Sequence, residues 1–219
     1  ILLEDRIYWL GWQCLMPGTG RRLWSLVNHF GSPGAAWEAG PKDLGLAPGI
    51  GDEGPAGLAR RRSELDPVKE AARLESLGIA FTCYTDPAYP ENLLQLYDYP
   101  PVIFHRGHLK AADKLAVALV GSRRPSPYGL GVAEKLAKDL AAVGVTVVSG
   151  LARGIDTAAH RGALAAGGRT LAVLGCGPDV IYPKENQKIL DKIINEGAVI
   201  SEFPPGTPPE PWRFPVRNR

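Results

Sequence analysis

Arginine is the residue type whose placement most limits what this sequence can do. Arg123 and Arg124 follow a Gly-Ser pair, Arg153 sits within SGLARGID, Lys184 follows Tyr-Pro, and Arg213, Arg217 and Arg219 cluster at the end. A guanidinium is permanently charged, and its planar fork of donors matches phosphate oxygens. Gly121 with Ser122, and Ser149 and Gly150 with Gly154, stand beside those cations and let backbone N–H groups approach an anion closely. Tyr182, Trp212 and Phe214 lie among them, rings on which bases can stack for roughly 1–3 kcal/mol each without reading sequence. The chemistry that suits this set is polyanion binding. The simpler alternative is that the arginines pair with Asp156, Asp179 and Glu202 on a solvated rim, a reading that serves each arginine singly better than it serves the set.

The elements that would gather these residues repeat. An apolar run around Val117, Leu119 and Val120 reads as a strand covered on both faces and runs into GSRR. Val145 to Ser149 runs into SGLARGID, Thr170 to Leu174 into GCGPD, and Ala198 to Ser201 into EFPPG. A helix with Ser126 as N-cap and Pro127 in its first position is predicted to end before Gly144, with Ala133, Leu136, Ala137, Leu140 and Ala141 as its apolar stripe. A second is predicted from the capping residue Asp156 to Gly167 and Gly168, and a third from near Pro183 to Gly197, burying Ile189, Leu190, Ile193 and Ile194. Strand and helix in alternation imply a doubly wound parallel sheet with right-handed crossovers. Ligands of such sheets bind outside the carboxyl ends of the strands, where all of these glycine turns fall.

The remaining composition narrows the class. The sequence has 219 residues, 45% hydrophobic and 22% charged, with a formal net charge of +2 that by itself selects no partner. No apolar run is long enough to span a bilayer and no signal peptide is evident. Cys14, Cys83 and Cys176 are odd in number and lack C-x-x-C spacing, which argues against a disulfide framework or zinc site and suits a reducing cytosol. The sequence opens on Ile1 rather than Met, so a true start upstream is expected.

Residues 1–66 read as a small helical domain and 67–219 as the sheet domain. MPGTGRRLWSLVNHFGS (Met16 to Ser32) and APGIGDEGPAGLARRRS (Ala47 to Ser63) both place Pro-Gly-x-Gly before a helix, the helix–hairpin–helix pattern. Those glycines either offer amides to a phosphate at a helix N-terminus or form tight turns in a small bundle. Trp9, Trp12, Trp24 and Trp37 read as core aromatics. After a short helix from Pro67 to Leu77, Ile79 to Cys83 reads as a strand and the Pro/Tyr-rich connection YTDPAYPENLLQLYDYPPVIFHRGHL as an apolar extension of the sheet domain, with Val102 to His105 as a possible outer strand.

Two enzymatic readings fit poorly. The turn GSRRPSPYG is not G-x-G-x-x-G, and Gly129 and Gly131 fall inside a predicted helix, too late to cradle a pyrophosphate. Asp156 and His160 are one helical turn apart, but no nucleophile elbow or metal-ligand spacing accompanies them, and capping explains Asp156.

VGSRRPSPYG (Val120 to Gly129), SGLARGIDTAAHRGAL (Ser149 to Leu164), LGCGPDVIYPKEN (Leu174 to Asn186) and SEFPPGTPPEPWRFPVRNR (Ser201 to Arg219) together resemble the DprA/Smf family of DNA-processing proteins. The resemblance implies an extended Rossmann-like sheet with a small helical (SAM or helix–hairpin–helix-like) N-terminal domain. It also implies a cytosolic dimer that binds single-stranded DNA without strong sequence preference, protects DNA taken up in natural transformation and helps load RecA onto it, with no cofactor, metal or catalysis. Carried over by motif, Gly121, Ser122, Arg123, Arg124, Ser149, Gly150, Arg153, Gly154, Lys184, Arg213, Phe214, Arg217 and Arg219 would meet DNA. Asp156, Gly175, Gly177, Asn186 and Glu202 would shape the pocket. In the family more of the sheet domain follows the Phe-Pro-x-Arg-Asn-Arg motif, so further strands carrying dimer and RecA surfaces are expected beyond Arg219, and a sheet interrupted there would expose apolar surface. Two other functions compete: a nucleoside-monophosphate hydrolase on a related fold, whose Pro-Gly-Gly-x-Gly-Thr loop is missing here, and a scaffold that binds only proteins.

Overall fold

Glycine and proline cut the first third of the chain into short helices. The computed structural model describes residues 3–50 and 53–219. Its first elements are α1 (Leu3–Leu15), α2 (Gly20–Phe30), α3 (Pro33–Glu38), α4 (Pro41–Leu44), α5 (Gly54–Glu64) and α6 (Pro67–Ser76). Ser32 caps α3 by accepting from the Ala35 amide, and Asp66 caps α6 by accepting from Val68 and Lys69, each with proline next in line. Trp9, Trp12, Leu23, Leu26, Leu44 and Leu58 form the buried centre of this part, with Trp24 and Trp37 packed against it. The Trp12 and Trp24 indole N–H groups donate to the carbonyls of Pro33 and Tyr99, both at 3.0 Å. The tryptophans are core residues, as expected.

The Pro-Gly-x-Gly turns are occupied by the protein itself. A Cβ on Gly20 would meet the Asp98 carbonyl at 2.5 Å, and one on Gly49 (φ +90°) the Arg22 carbonyl at 2.7 Å. Close backbone approach, and not a ligand, accounts for both glycines. Gly51, the last glycine of the second pattern, and Asp52 lie outside the described residues.

The sheet runs β1 (Ala80–Cys83), β2 (Val102–Gly107), β3 (Ala116–Ala118), β4 (Thr146–Ser149), β5 (Thr170–Leu174) and β6 (Ala198–Ser201), in the spatial order β1-β2-β6-β5-β4-β3. β3 to β6 are mutually parallel, and β2 joins β6 antiparallel through Phe104 opposite Ser201. The strand expected at the outside from Val102 is therefore internal, and β1 is the outer one. Crossover helices α7 (Pro127–Ala142), α8 (Ile155–Ala165) and α9 (Gln187–Glu196) connect the parallel strands. Side chains alternate as the pleat requires. Val147 packs with Ala137, Ala141, Ala159 and Ala163, and Ala172 and Val199 pack with Leu190 and Ile193. Val148, Leu171 and Ile200 point the other way, where Tyr89 and Leu93 of the Pro/Tyr-rich connection cover them.

β3 departs from expectation. Among the described residues it is the outermost strand, Val117 is 39% and Val120 70% exposed, and on α7 Leu136 is 45% exposed. An apolar run alone does not distinguish a strand covered on both faces from one with a face uncovered, because covering depends on partners distant in sequence. The helix expected to begin at Asp156 begins at Ile155, with Gly154 (φ +80°) in the capping position.

Candidate functional site

The carboxyl edge holds an open cleft of about 70 Å3, lined among others by Arg123, Gly150, Arg153, Tyr182, Phe214 and Arg217. Each side of it is built by a different turn. After β3 the chain passes through Gly121 and Ser122, whose hydroxyl oxygen accepts from the Arg124 amide at 3.0 Å and whose carbonyl accepts from the Ile155 amide at 3.1 Å. That second bond ties the first turn to the start of α8. The approach is so close that a Cβ on Gly154 would lie 2.3 Å from the Ser122 carbonyl oxygen, and one on Gly121 would lie 2.8 Å from Ile155. Arg123 and Arg124 project from this turn as exposed cations, without an ion pair among the described residues.

The turn after β4 is braced from within. Asp156 is buried, and one of its carboxylate oxygens accepts from the Gly150 amide at 3.1 Å and the Ala152 amide at 3.3 Å. Asn186 donates to the Leu151 carbonyl and the Thr157 hydroxyl, both at 2.9 Å, which holds Leu151 in the left-handed region at φ +57°. Asp156 is thus engaged in positioning the turn. Ser149 is also internal, its hydroxyl donating to the Leu119 carbonyl at 2.6 Å. Arg153 reaches across to pair with Glu185. Lys184, beside Glu185, is exposed.

A five-residue helix, α10 (Arg213–Arg217), closes the cleft. Arg217 turns one guanidinium nitrogen inward, donating to the carbonyls of Gly150 at 2.8 Å and Val173 at 2.7 Å, so it clasps the ends of β4 and β5. Burial holds its pKa below the ordinary arginine value, with Arg123 adding repulsion and Asp156 opposing the shift. Phe214 has two cations near its ring: the Arg123 guanidinium is 5.6 Å and that of Arg217 6.0 Å from its ring centre. Tyr182 adds a second ring 5.6 Å away at 34°. Gly175 leaves room for this arrangement, since a Cβ there would press on the Phe214 ring at 3.0 Å.

The other two terminal arginines point elsewhere. Arg213 donates to the Pro208 carbonyl, pairs with Glu210 at 3.4 Å and lies over the Trp212 ring at 4.9 Å. Arg219 pairs with Glu202 at 2.6 Å and Asp98 at 3.5 Å, beside a separate apolar cavity of about 180 Å3. Glu202 is nine-tenths hidden, and burial pushes its carboxyl up to about 7 against the pull of Arg219. Gly177 is close to Asp179, whose carboxylate accepts from the Gly206 amide at 2.9 Å, so both shape the loop behind the cleft. His160 is fully buried with Nδ1 2.7 Å from the Thr170 hydroxyl oxygen. Because that hydroxyl donates to the Val147 carbonyl, the imidazole must donate from Nδ1, and burial takes its pKa down to about 3. It has no access to the edge. Tyr182, not among the site residues carried over by motif, was signalled only as a ring lying between cations.

The arrangement is an open cationic groove with an aromatic platform, and these motifs have relatives. The family described as DNA recombination-mediator protein A matches over residues 80–219. The chain belongs to this family. Protein Smf of Synechocystis is 36% identical over 99% of the chain, and DNA processing protein DprA of Streptococcus pneumoniae is 41% identical over 77% of it. The chain spans 55% and 59% of those two proteins. The X-ray structure of the pneumococcal DprA superposes on 99% of the chain and 73% of its own with a TM-score of 0.76 at 34% identity. A structure of the Helicobacter pylori protein, described as giving insights into its unique single-stranded DNA binding mode, covers 64% of the chain and 62% of its own with a TM-score of 0.56 at 33% identity. The sheet with its helical N-terminal part is thus the architecture of the DprA family. Among the described residues no helix is long and apolar enough to cross a membrane.

Proposed function

We propose that this chain binds single-stranded DNA, largely through its backbone and without sequence preference, in the cleft at the carboxyl edge of the sheet. The observation that carries the reading is the Phe214 ring lining an open cleft with the Arg123 and Arg217 guanidinium groups 5.6 and 6.0 Å from its centre. A base stacked on that platform leaves its phosphate within reach of Arg123, Arg124, Arg153 and Lys184, and any base has a π-face to offer. A Cβ on Gly121, Gly150 or Gly154 would meet Ile155, Arg217 or the Ser122 carbonyl, so these glycines let the turns pack closely and present the exposed Ser122 and Arg123 to the strand. Arg217, Asp156, Asn186, Gly175 and Gly177 serve as positioning residues, and Ser149, Arg213, Arg219 and Glu202 support the walls from outside the cleft. The Helicobacter pylori DNA processing protein A, whose structure is described for its single-stranded DNA binding mode, supports this assignment. Family membership supports a wider role in the cytosol as a recombination mediator that protects incoming strands, helps load RecA and acts as a homodimer.

The test is a fluorescence-anisotropy titration with oligo-dT and a matched duplex at two salt concentrations. Arg123→Ala is expected to weaken binding to every sequence alike and to reduce the magnitude of the log–log salt slope by about 0.7, the value for one single-strand phosphate. Unchanged affinity and slope would take Arg123 out of the interface. A nucleotide-hydrolysing enzyme is the other reading, and Glu202, with its raised pKa, is the group that could favour it. Glu202 does not line the cleft and is paired with Arg219. Turnover of a nucleoside monophosphate lost in Glu202→Gln would restore that reading.

A further inference from the structure

A second set of cations lies outside the cleft. Arg161 on α8 and Lys188 and Lys192 on α9 line a groove of about 550 Å3 between these two helices, with Leu164 and Ile189 as apolar lining. All three cations are exposed. Among the described residues none of them forms an ion pair. One acid, Glu196, lines the groove, and it sits at the last position of α9. Asp191 is held by Gln187 at 2.8 Å and is not part of the lining.

A short stretch of chain links the groove to the cleft. Tyr182 and Pro183 line the cleft, the turn Lys184–Asn186 follows, and Gln187 opens α9 directly after it. Lys188 is on the first turn of that helix. Lys192 is four residues on, hence on the same face and about 6 Å further along the axis. Arg161 faces them from α8 across the groove. Unpaired cations of one sign lining one groove repel one another, and a polyanion bound there relieves that repulsion. Along the chain, exposed Lys184 stands between the cleft residues Tyr182 and Pro183 and the groove residue Lys188.

We propose that the groove between α8 and α9 is a second backbone-binding track, which receives single-stranded nucleic acid where it leaves the cleft. The inference rests on the cleft reading, and its test separates the two. Affinities and salt slopes are measured for oligo-dT of about 6 and about 20 nucleotides, one near the lower end of and one beyond the ~4–16-nucleotide sites of comparable binding surfaces. The proteins compared are the parent, R161A/K188A/K192A, K188R/K192R and Arg123→Ala, each checked by circular dichroism. The triple variant is expected to bind the short strand as the parent does, while the slope for the long strand falls in magnitude by about 2, the contribution of three single-strand phosphates. K188R/K192R is expected to retain the parent slope, because the track needs charge and not lysine as such. The proposal is overturned if the triple variant keeps the parent's long-strand affinity and slope, as it would if the groove met an acidic protein. It is overturned too if the short strand loses as much as the long one. A parent that binds neither strand defeats the cleft reading and the track with it, whereas Arg123→Ala weakening both strands while the triple variant weakens neither defeats the track alone.

Discussion

Arg217 and Arg123 flank the same ring, yet the structure assigns them different work, and substitution should separate the two roles. Arg217→Met keeps an unbranched stem of similar reach and removes the donors that hold the carbonyls of Gly150 and Val173. A hydrogen bond from a charged donor contributes about 1.5–3 kcal/mol. Those two are lost together with an exposed one from Nε to Asn218 Oδ1, but the open cleft lets water reach the abandoned carbonyls, and removing a half-buried cation recovers part of its desolvation cost. The expected net loss is therefore at the low end, about 2–3 kcal/mol. At roughly 2–4 °C per kcal/mol for a chain of this size, the melting temperature should fall by about 4–12 °C. Arg123 is exposed and makes no hydrogen bond or ion pair among the described residues, so Arg123→Ala should change stability by no more than about 0.5 kcal/mol. Differential scanning fluorimetry of both variants, run beside the DNA titration, reads the two effects together. If Arg217→Met melts with the parent, the clasp across β4 and β5 does not stabilise the fold, and the reasoning that makes Arg217 a positioning residue fails.

Two further outcomes are expected. Phe214→Ala should weaken binding to all single strands by roughly 5- to 150-fold, the equivalent of one stacked base at about 1–3 kcal/mol, and a titration with unchanged Kd would remove the ring from the interface. Glu202→Gln should alter the pH dependence of stability. Burial raises the Glu202 carboxyl from 4.5 to about 7, so in that window the folded protein holds a proton that the unfolded chain has released. The stability this provides is complete below the unfolded value and is lost as pH rises through about 7. The facing charges are Arg219, which opposes the shift, and Asp98, which adds to it. Thermal melts between about pH 5 and pH 8 should therefore fall more steeply in the parent than in the variant; parallel curves would show that Glu202 is ionised throughout.

Much of the candidate site was legible because its signals are local. Gly121-Ser122 and Gly150 to Gly154 are short turns after apolar runs, and a parallel sheet places such turns on one edge whatever the details of packing. Ser126 capped its helix and the tryptophans filled their core for equally local reasons: a hydroxyl within reach of a free amide, and large rings with nowhere else to go. The destinations of the arginines were not legible. Arg213, Arg217 and Arg219 are spaced within a single turn or two of chain, yet one is tied to Pro208 and Glu210, one clasps two strand ends, and one is paired with Glu202 and Asp98.

The sequence by itself determined the alternation of strands and helices, the edge on which the glycine turns would meet, and the chemistry available there, since each follows from periodicity, capping and residue type within a few positions. Only the tertiary structure decided which cations remain free for a ligand. That outcome depends on partners distant along the chain, such as Glu185 for Arg153 or the Val173 carbonyl for Arg217, and on how far each group is removed from water. It likewise decided that the strand from Val102 is internal to the sheet and that the Pro-Gly-x-Gly turns are filled by Asp98 and Arg22. The physical reason is common to all of these. Charge and donors are properties of a residue, whereas burial and pairing belong to the neighbours that folding brings to it.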